Sequence, residues 1–335
     1  MPSLRRLSWV ALAGMLLAGC GGGAGTSALP HADGRAPSAA RPLVGSPSPG
    51  TLYVADHWGA FAYDLTASDP ATALRSIVPH PSQINTELIQ GLATAPDGTL
   101  AILQNYFVGD DQYCRTVVEP ANADTGISAL GTYPCDPAAL TQGEAIARGT
   151  SGFDIVYRID NGYSIEHLAP GGTVSGTLRL PAGLYDGIAT TATGSDYVSD
   201  ISGNVLKYGA GATDPTASLA HLVVPGPVAI HALASASDHT LYVAAGPLGN
   251  EYIYAYPQGA TAPARTLGPY ANNYVTSMAV DAQNQLYVGF SAVQGGSNEV
   301  RVYAADATGK PAAVRHITNP VPGSYEITAM AISQP

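Results

Sequence analysis

From about residue 50 onward, apolar and polar positions alternate in short runs, and the runs come back at nearly constant spacing. Leu-Tyr-Val-like cores begin near Leu52, Leu100, Ile155, Tyr197, Leu241 and Leu286, which sets them 48, 55, 42, 44 and 45 residues apart. About ten residues before each core, from the second onward, stands a shorter apolar strand: Gln90-Gly91-Leu92-Ala93, Glu144-Ala145-Ile146-Ala147, Asp186-Gly187-Ile188-Ala189, His231-Ala232-Leu233-Ala234 and Thr276-Ser277-Met278-Ala279. A sixth copy, Thr328-Ala329-Met330-Ala331, has no core after it, and the core at Leu52 has no copy before it. A repeat divided between the two ends in this way suits a ring, because one unit built from both ends keeps a circular array from springing open. Period-two alternation makes the elements strands, and the repeat length is that of a four-stranded unit. The expectation is an all-β fold: a six-bladed β-propeller of four-stranded antiparallel blades spanning residues 50–335, its first blade closed by the C-terminal strand.

Within each repeat the first short strand reads as the innermost. Its second and fourth positions are always Gly, Ala or Ser, as required where sheets converge on an axis. Its third is always Leu, Ile or Met, sized to fill the gap between neighbouring sheets. Turns such as Pro96-Asp97-Gly98 and Ala282-Gln283-Asn284 lead to the second strand, and third strands recur at Phe61-Ala62-Tyr63, Val205 to Tyr208, Ile253 to Tyr256 and Val300 to Tyr303. The outer strands carry Arg75, Arg265 and Arg315, read here as charges that discourage edge-to-edge pairing.

The first 49 residues have a different pattern. Arg5 and Arg6 precede an apolar run from Leu7 to Leu17, too short to span a bilayer and laid out as an export signal. The run closes on Leu17-Ala18-Gly19-Cys20, which resembles the bacterial lipoprotein signal-peptidase box at every position. That resemblance implies a signal peptide over 1–19 and lipidation of Cys20; the alternative is an ordinary secretory signal. Residues 20–49, rich in Gly, Ala, Ser and Pro, bury too little apolar surface to offset their ordering entropy and read as a flexible tether. The expected location is the bacterial cell envelope, lipid-anchored on the non-cytoplasmic side of a membrane, with the outer membrane open to it because Gly21 stands where an inner-membrane retention aspartate would.

Composition narrows the partners. There are 14 Lys and Arg against 25 Asp and Glu, and loss of Arg5 and Arg6 with the leader leaves 12 against 25. A nucleic acid or anionic lipid surface needs a basic face, so neither is an expected partner. Of the three cysteines, Cys20 is taken by the lipid. Cys114 and Cys135 flank the third and fourth strands of the second blade and are expected to form a structural disulfide in an oxidising compartment.

Catalytic signatures are missing. The chain has no His-Glu-x-x-His helix, no Gly-x-Ser-x-Gly elbow and no Asp-x-Asp-x-Asp calcium loop. One constellation follows from the repeat itself. The first residue of every inner strand is polar, namely Gln90, Glu144, Asp186, His231, Thr276 and Thr328, and symmetry places the six around one mouth of the channel. Glu144, Asp186 and His231 come from consecutive blades and could converge on a divalent cation, calcium being the candidate. The same residues would equally serve as the solvated lining of a water-filled mouth. Glu87, Asn105, Tyr185 and Asn273 are expected on loops that could join the ring, whereas His80, His167, His221 and His239 show no clustered spacing and read as surface or structural residues.

Val280-Asp281-Ala282-Gln283-Asn284-Gln285-Leu286-Tyr287-Val288 and Ala95-Pro96-Asp97-Gly98-Thr99-Leu100 resemble the repeats of NHL-type and SMP-30/gluconolactonase-like propellers. The resemblance implies the six-bladed architecture. The lactonase branch also implies a channel cation held by a Glu, an Asp and asparagines, of which this chain offers Glu144 and Asp186 but no asparagine at an inner-strand start. The expected function is a membrane-anchored binding or scaffolding module that recognises an envelope protein, peptide or glycan. Its rival is a metal-dependent, lactonase-like hydrolase.

Overall fold

The C-terminal strand Ala329–Ser333 runs antiparallel to Thr51–Ala55, pairing Thr51 with Ser333, Tyr53 with Ala331 and Ala55 with Ala329. A computed structural model describes residues 50–77, 87–108, 111–120, 131–134, 142–159, 162–214, 218–226, 229–292, 297–324 and 326–334. The leader, Cys20, the tether and Cys135 lie outside the described residues. Among the described residues there are 24 strands and no helix, and none of the chain described there forms an apolar helix long enough to cross a membrane.

The strands form six four-stranded antiparallel sheets. Blade 1 is Ala329–Ser333, Thr51–Ala55, Ala60–Asp64 and Arg75–Ile77 from inside out. Blade 2 runs Glu87–Thr94, Leu100–Val108, Asp111–Glu119, Gly131–Pro134, and blade 3 Gln142–Arg148, Phe153–Ile159, Gly162–Leu168, Val174–Arg179. Blade 4 is Tyr185–Thr190, Asp196–Asp200, Val205–Tyr208, Ala220–Leu222. Blades 5 and 6 are Ile230–Ser235, Leu241–Ala245, Asn250–Tyr256, Arg265–Ala271 and Asn273–Val280, Leu286–Ala292, Glu299–Tyr303, Arg315–Thr318. Each inner strand touches the next, and the strand of blade 6 touches that of blade 1, so the ring is closed.

Side-chain size on the inner strands sets the blade spacing. In all six seams the Leu, Ile or Met at the third position packs on small residues of the preceding blade: Leu92 on Ala329 and Ala331, Ile146 on Ala93, Ile188 on Ala145 and Ala147, Leu233 on Ala189, Met278 on Ala232 and Ala234, Met330 on Ala279. The fit is close: a Cβ on Gly91 would stand 2.6 Å from Ile146 Cγ2. Full burial of each large side chain is worth about 1.5–3 kcal/mol, and such layers are what hold radial sheets together. Between blades 1 and 2, Thr94 Oγ1 donates to Ile332 O of the C-terminal strand at 2.6 Å.

Two expectations change. The second strands of blades 3 and 4 begin earlier than the spacing suggested, because Phe153 and Asp196 hold the register position that Leu52, Leu100, Leu241 and Leu286 hold elsewhere. The outer-strand arginines do not stand out as edge charges either. Each folds back on the tyrosine of its own second strand: Arg75 over Tyr53, Arg315 over Tyr287, and Arg265 to the Tyr242 hydroxyl. Arg265 also donates to Ala305 O at 2.5 Å and Arg315 to Leu65 O, so both tie one blade to the next. A guanidinium can satisfy several acceptors from one position, and its stem and plane cover the ring.

Candidate ligand-binding face

At the start of each inner strand of blades 2 to 6 the ladder skips one residue: Gln90, Glu144, Asp186, His231 and Thr276 are each the extra residue of a β-bulge. Bulges redirect a side chain out of the sheet's alternation. Thr328 lies just before the inner strand of blade 1, with its N–H donating to Ala55 O. The six polar positions read from the repeat thus sit at one end of the six inner strands.

The residue before the polar one is pinned by the preceding blade at four of the six positions. Ile89 N donates to His57 O, Gly143 N to Asn105 Oδ1, Val275 N to Glu251 Oε2 and Ile327 N to Ser291 Oγ. A ladder interrupted by a bulge frees a backbone donor that, once buried, must find a partner. Glu251 and Ser291 were not singled out in the sequence because each lies on a strand other than the innermost one.

Electrostatically the collar is acidic. Burial pushes the Glu144 carboxyl up to about 7, against the pull of Arg158 and with the push of Asp186. Desolvation, with a push from Asp200, raises Asp186 to about 6 despite the Ser199 hydroxyl donated at 3.0 Å. His231 turns away from these two: its Nε2 sits 3.0 Å from Gly246 O and 3.4 Å from Glu251 Oε1. Burial also pushes Glu251, fully enclosed, up to about 7. Thr276 and Thr328 hydroxyls face the carbonyls of Gly289 and Ala55 at 3.3 Å each. Glu144, Asp186 and His231 do not gather their ligand atoms within 4.8 Å of one another.

Large apolar side chains surround the same end. Trp58 and Leu248 follow the second strands of blades 1 and 5, Ile201 that of blade 4, and Leu184 precedes the inner strand of blade 4; all four are exposed, Trp58 by 63%. Asp56 Oδ1 accepts the N–H groups of Trp58 and Gly59, fixing the turn that presents the indole, and Ile201 N donates to Leu184 O. At the opposite end the exposed residues of the inner turns are Asp97, Ser151, Thr193, Asp238 and Gln283 with small or Pro neighbours, and the exposed Leu74, Val174, Leu219 and Val314 stand at the starts of the outermost strands, away from the channel. Here the channel opens into a 390 Å³ cavity, separated from the collar by the belt of Leu92, Ile146, Ile188, Leu233, Met278 and Met330.

A second polar group was missed by the sequence reading. Asp154, His167 and Asp196 bring donor atoms within 4.8 Å of one another at the boundary of blades 3 and 4, the one such gathering of carboxylate, imidazole or thiol groups among the described residues. The signal was present as a broken repeat: Asp154 replaces the tyrosine, and Asp196 the leucine, of the Leu-Tyr-Val core. Cys114 is buried in the third strand of blade 2, where the ladder pairs Arg115 with Pro134.

These features define a six-bladed β-propeller with one chemically distinct face. No family model matches the chain, and no curated protein matches it. Among solved structures, a protein of unknown function from Bacteroides caccae superposes with TM-score 0.62 at 12% identity, covering 86% of this chain and 100% of its own. The WD40 β-propeller domain of Doa1 gives TM-score 0.52 at 9% identity, covering 84% of this chain and 82% of its own. At such identities the likeness is one of fold.

Proposed function

We propose that this chain is a non-enzymatic binding module of the bacterial envelope, anchored through a lipid on Cys20, whose collar face holds a cationic segment with apolar flanks, such as a lysine- or arginine-bearing peptide of an envelope protein. The observation that carries this reading is the coincidence, on one face only, of the Glu144 and Asp186 carboxylates with the exposed side chains of Trp58, Leu184, Ile201 and Leu248. Exposed apolar groups around a polar centre are the composition of a docking surface. Raised carboxyl pKa values add that the collar gains by taking up positive charge. The metal-hydrolase alternative is the weaker one, since His231 is committed to Gly246 and Glu251 rather than to Glu144 and Asp186.

Trp58 is the one tryptophan outside the leader and stands on this face, so its emission reports occupancy directly. The full chain in detergent is titrated with a Leu-Lys-Phe-type peptide and with its Lys→Glu counterpart. Saturable quenching by the first alone, weakened by salt and about tenfold by Glu144→Gln with Asp186→Asn, is expected, since a lost charge pair of about 1.4 kcal/mol is a factor of ten. Equal binding of both peptides, or of neither, refutes the reading. The anchor is tested separately by alkynyl-palmitate labelling, which Cys20→Ser should abolish.

A further inference from the structure

Across the row of residues paired at the fourth position of the inner strand, blades 1, 5 and 6 place Tyr53-Ala62-Arg75, Tyr242-Ala255-Arg265 and Tyr287-Val302-Arg315. Blade 4 has Tyr197-Lys207-Ala220, and blade 2 Ala101-Val118-Gly131. Blade 3 alone has Asp154-His167-Gly176. Gly176 makes room for the imidazole, since a Cβ there would stand 3.2 Å from His167 Cδ2. Opposite, blade 4 supplies Asp196 where the other blades have Leu or Phe.

The contacts form a single chain of hydrogen bonds across the seam. His167 Nδ1 lies 2.6 Å from Asp154 Oδ1, Thr190 Oγ1 lies 2.8 Å from Asp154 Oδ2, and the same Thr190 oxygen lies 2.8 Å from Asp196 Oδ1. Asp154 is 5% exposed and Asp196 1%. A threonine hydroxyl has one hydrogen, so it can donate to one carboxylate only. The second short contact needs a hydrogen from the other side, and a carboxylic acid is the group able to give it. Asp196 as the acid donating to Thr190, Thr190 donating to Asp154, and His167 donating to Asp154 satisfies every contact. Deprotonation of Asp196 removes one hydrogen and puts two buried carboxylates side by side.

We propose that the boundary between blades 3 and 4 is a proton-operated seam, in which Asp154, Thr190 and Asp196 join the two blades by sharing one carboxyl proton and separate when alkaline medium removes it. Burial, with Asp154 alongside, holds Asp196 near 7, and the hydrogen bond that His167 donates to Asp154 raises His167. Both shifts are upward, so both contributions are present in acid and vanish as pH climbs through the raised values. Of the other charged groups on the packed strands, Glu144, Arg158, Asp186 and Asp200 interact with one another at the collar end and Glu166 lies beside Tyr157, while Arg148 on the inner strand of blade 3 borders the cavity and Lys207 on blade 4 lies over the Tyr197 ring. Tyr208 is the titratable group paired with Asp196 in the ladder. Thr190 lines the cavity, which gives protons a route to water.

Amide hydrogen exchange of the full chain in detergent, corrected for intrinsic rates at pH 5.5 and 8.5, tests this. Protection over 142–148, 153–159, 185–190 and 196–200 should drop by about tenfold for each pH unit from pH 5.5 up to the raised values and level off above them, one unit being a tenfold factor. The seam of Thr51–Ala55 with Glu87–Thr94 should hold. Asp196→Asn, whose amide donates to Thr190 at any pH, should keep the blade 3 and 4 strands protected at pH 8.5, and Asp154→Asn should do the same if the first variant does not fold. The proposal falls if both seams lose protection alike, if a folded Asn variant tracks the wild type, or if a stoichiometric divalent cation is found at this cluster.

Discussion

Asn105 and Gly143 are joined by a reciprocal pair of hydrogen bonds across the boundary of blades 2 and 3: Asn105 Nδ2 donates to Gly143 O and Gly143 N donates to Asn105 Oδ1, each at 2.9 Å. The side chain imitates a strand edge and holds the backbone immediately before Glu144. Asn105→Ala leaves both Gly143 groups buried without partners, at about 1–3 kcal/mol each. A loss of about 2–4 kcal/mol in urea unfolding is expected. A loss below about 0.5 kcal/mol, the range of neutral surface changes, would show the pair to be incidental.

Gly91 and Ile146 test the small-against-large rule. Gly91→Ala places a methyl 2.6 Å from Ile146 Cγ2, a contact that must be relieved by moving the isoleucine or the blade. Overpacking of this kind costs about 1–3 kcal/mol. Combining it with Ile146→Val should cost less than the two single changes added together, a coupling that a double-mutant cycle reads directly.

Arg315 and Arg75 occupy equivalent positions with different reach. Arg75 donates to Tyr53 within blade 1 at 2.8 Å, whereas Arg315 serves Tyr287, Gln285 and, across the closing seam, Leu65 O. Charged hydrogen bonds contribute about 1.5–3 kcal/mol each when partly buried. Arg315→Met should therefore lower the denaturation midpoint more than Arg75→Met. The reverse order would place the main role of these arginines within the blade.

Glu251 predicts a pH dependence of its own. Its carboxyl is enclosed and raised to about 7 by burial, although Val275 N donates to it. A carboxyl whose folded pKa exceeds its unfolded one stabilises the fold below the unfolded value and forfeits that stability as pH passes the folded value. Unfolding free energy should fall by roughly 2–3 kcal/mol between pH 5 and 8.5 on this account, because pH 5 lies about two units below the folded value of about 7. Glu251→Gln should flatten part of that slope while leaving the share carried by blades 3 and 4.

The architecture was legible because a ring repeats its constraints. Gly, Ala or Ser beside Leu, Ile or Met on every inner strand, and the half-repeat at each end, are demanded by convergence on an axis, and the six polar positions fell where the repeat put them. What could not be read was direction and partnership. His231 looked equivalent to Glu144 and Asp186, but the enclosed Glu251, twenty residues later, draws it aside. Arg75, Arg265 and Arg315 looked like edge charges because nothing local in the chain reveals the tyrosine ring two strands away. Asp154 and Asp196 were passed over because aligning blades 3 and 4 on Ile155 and Tyr197, the best apolar matches, slides past the two residues that break the pattern.

Thr51 and Ser333 lie opposite each other in one sheet, and that adjacency frees the order of the blades from the order of the chain. A short linker could weld these positions together, and the polypeptide could be reopened at the exposed turn of Ala282 and Gln283, making blade 6 the mixed blade instead. Such a permuted protein would keep every side-chain neighbour described above while starting and stopping elsewhere, so the circle itself, rather than its point of interruption, is the unit that the sequence encodes.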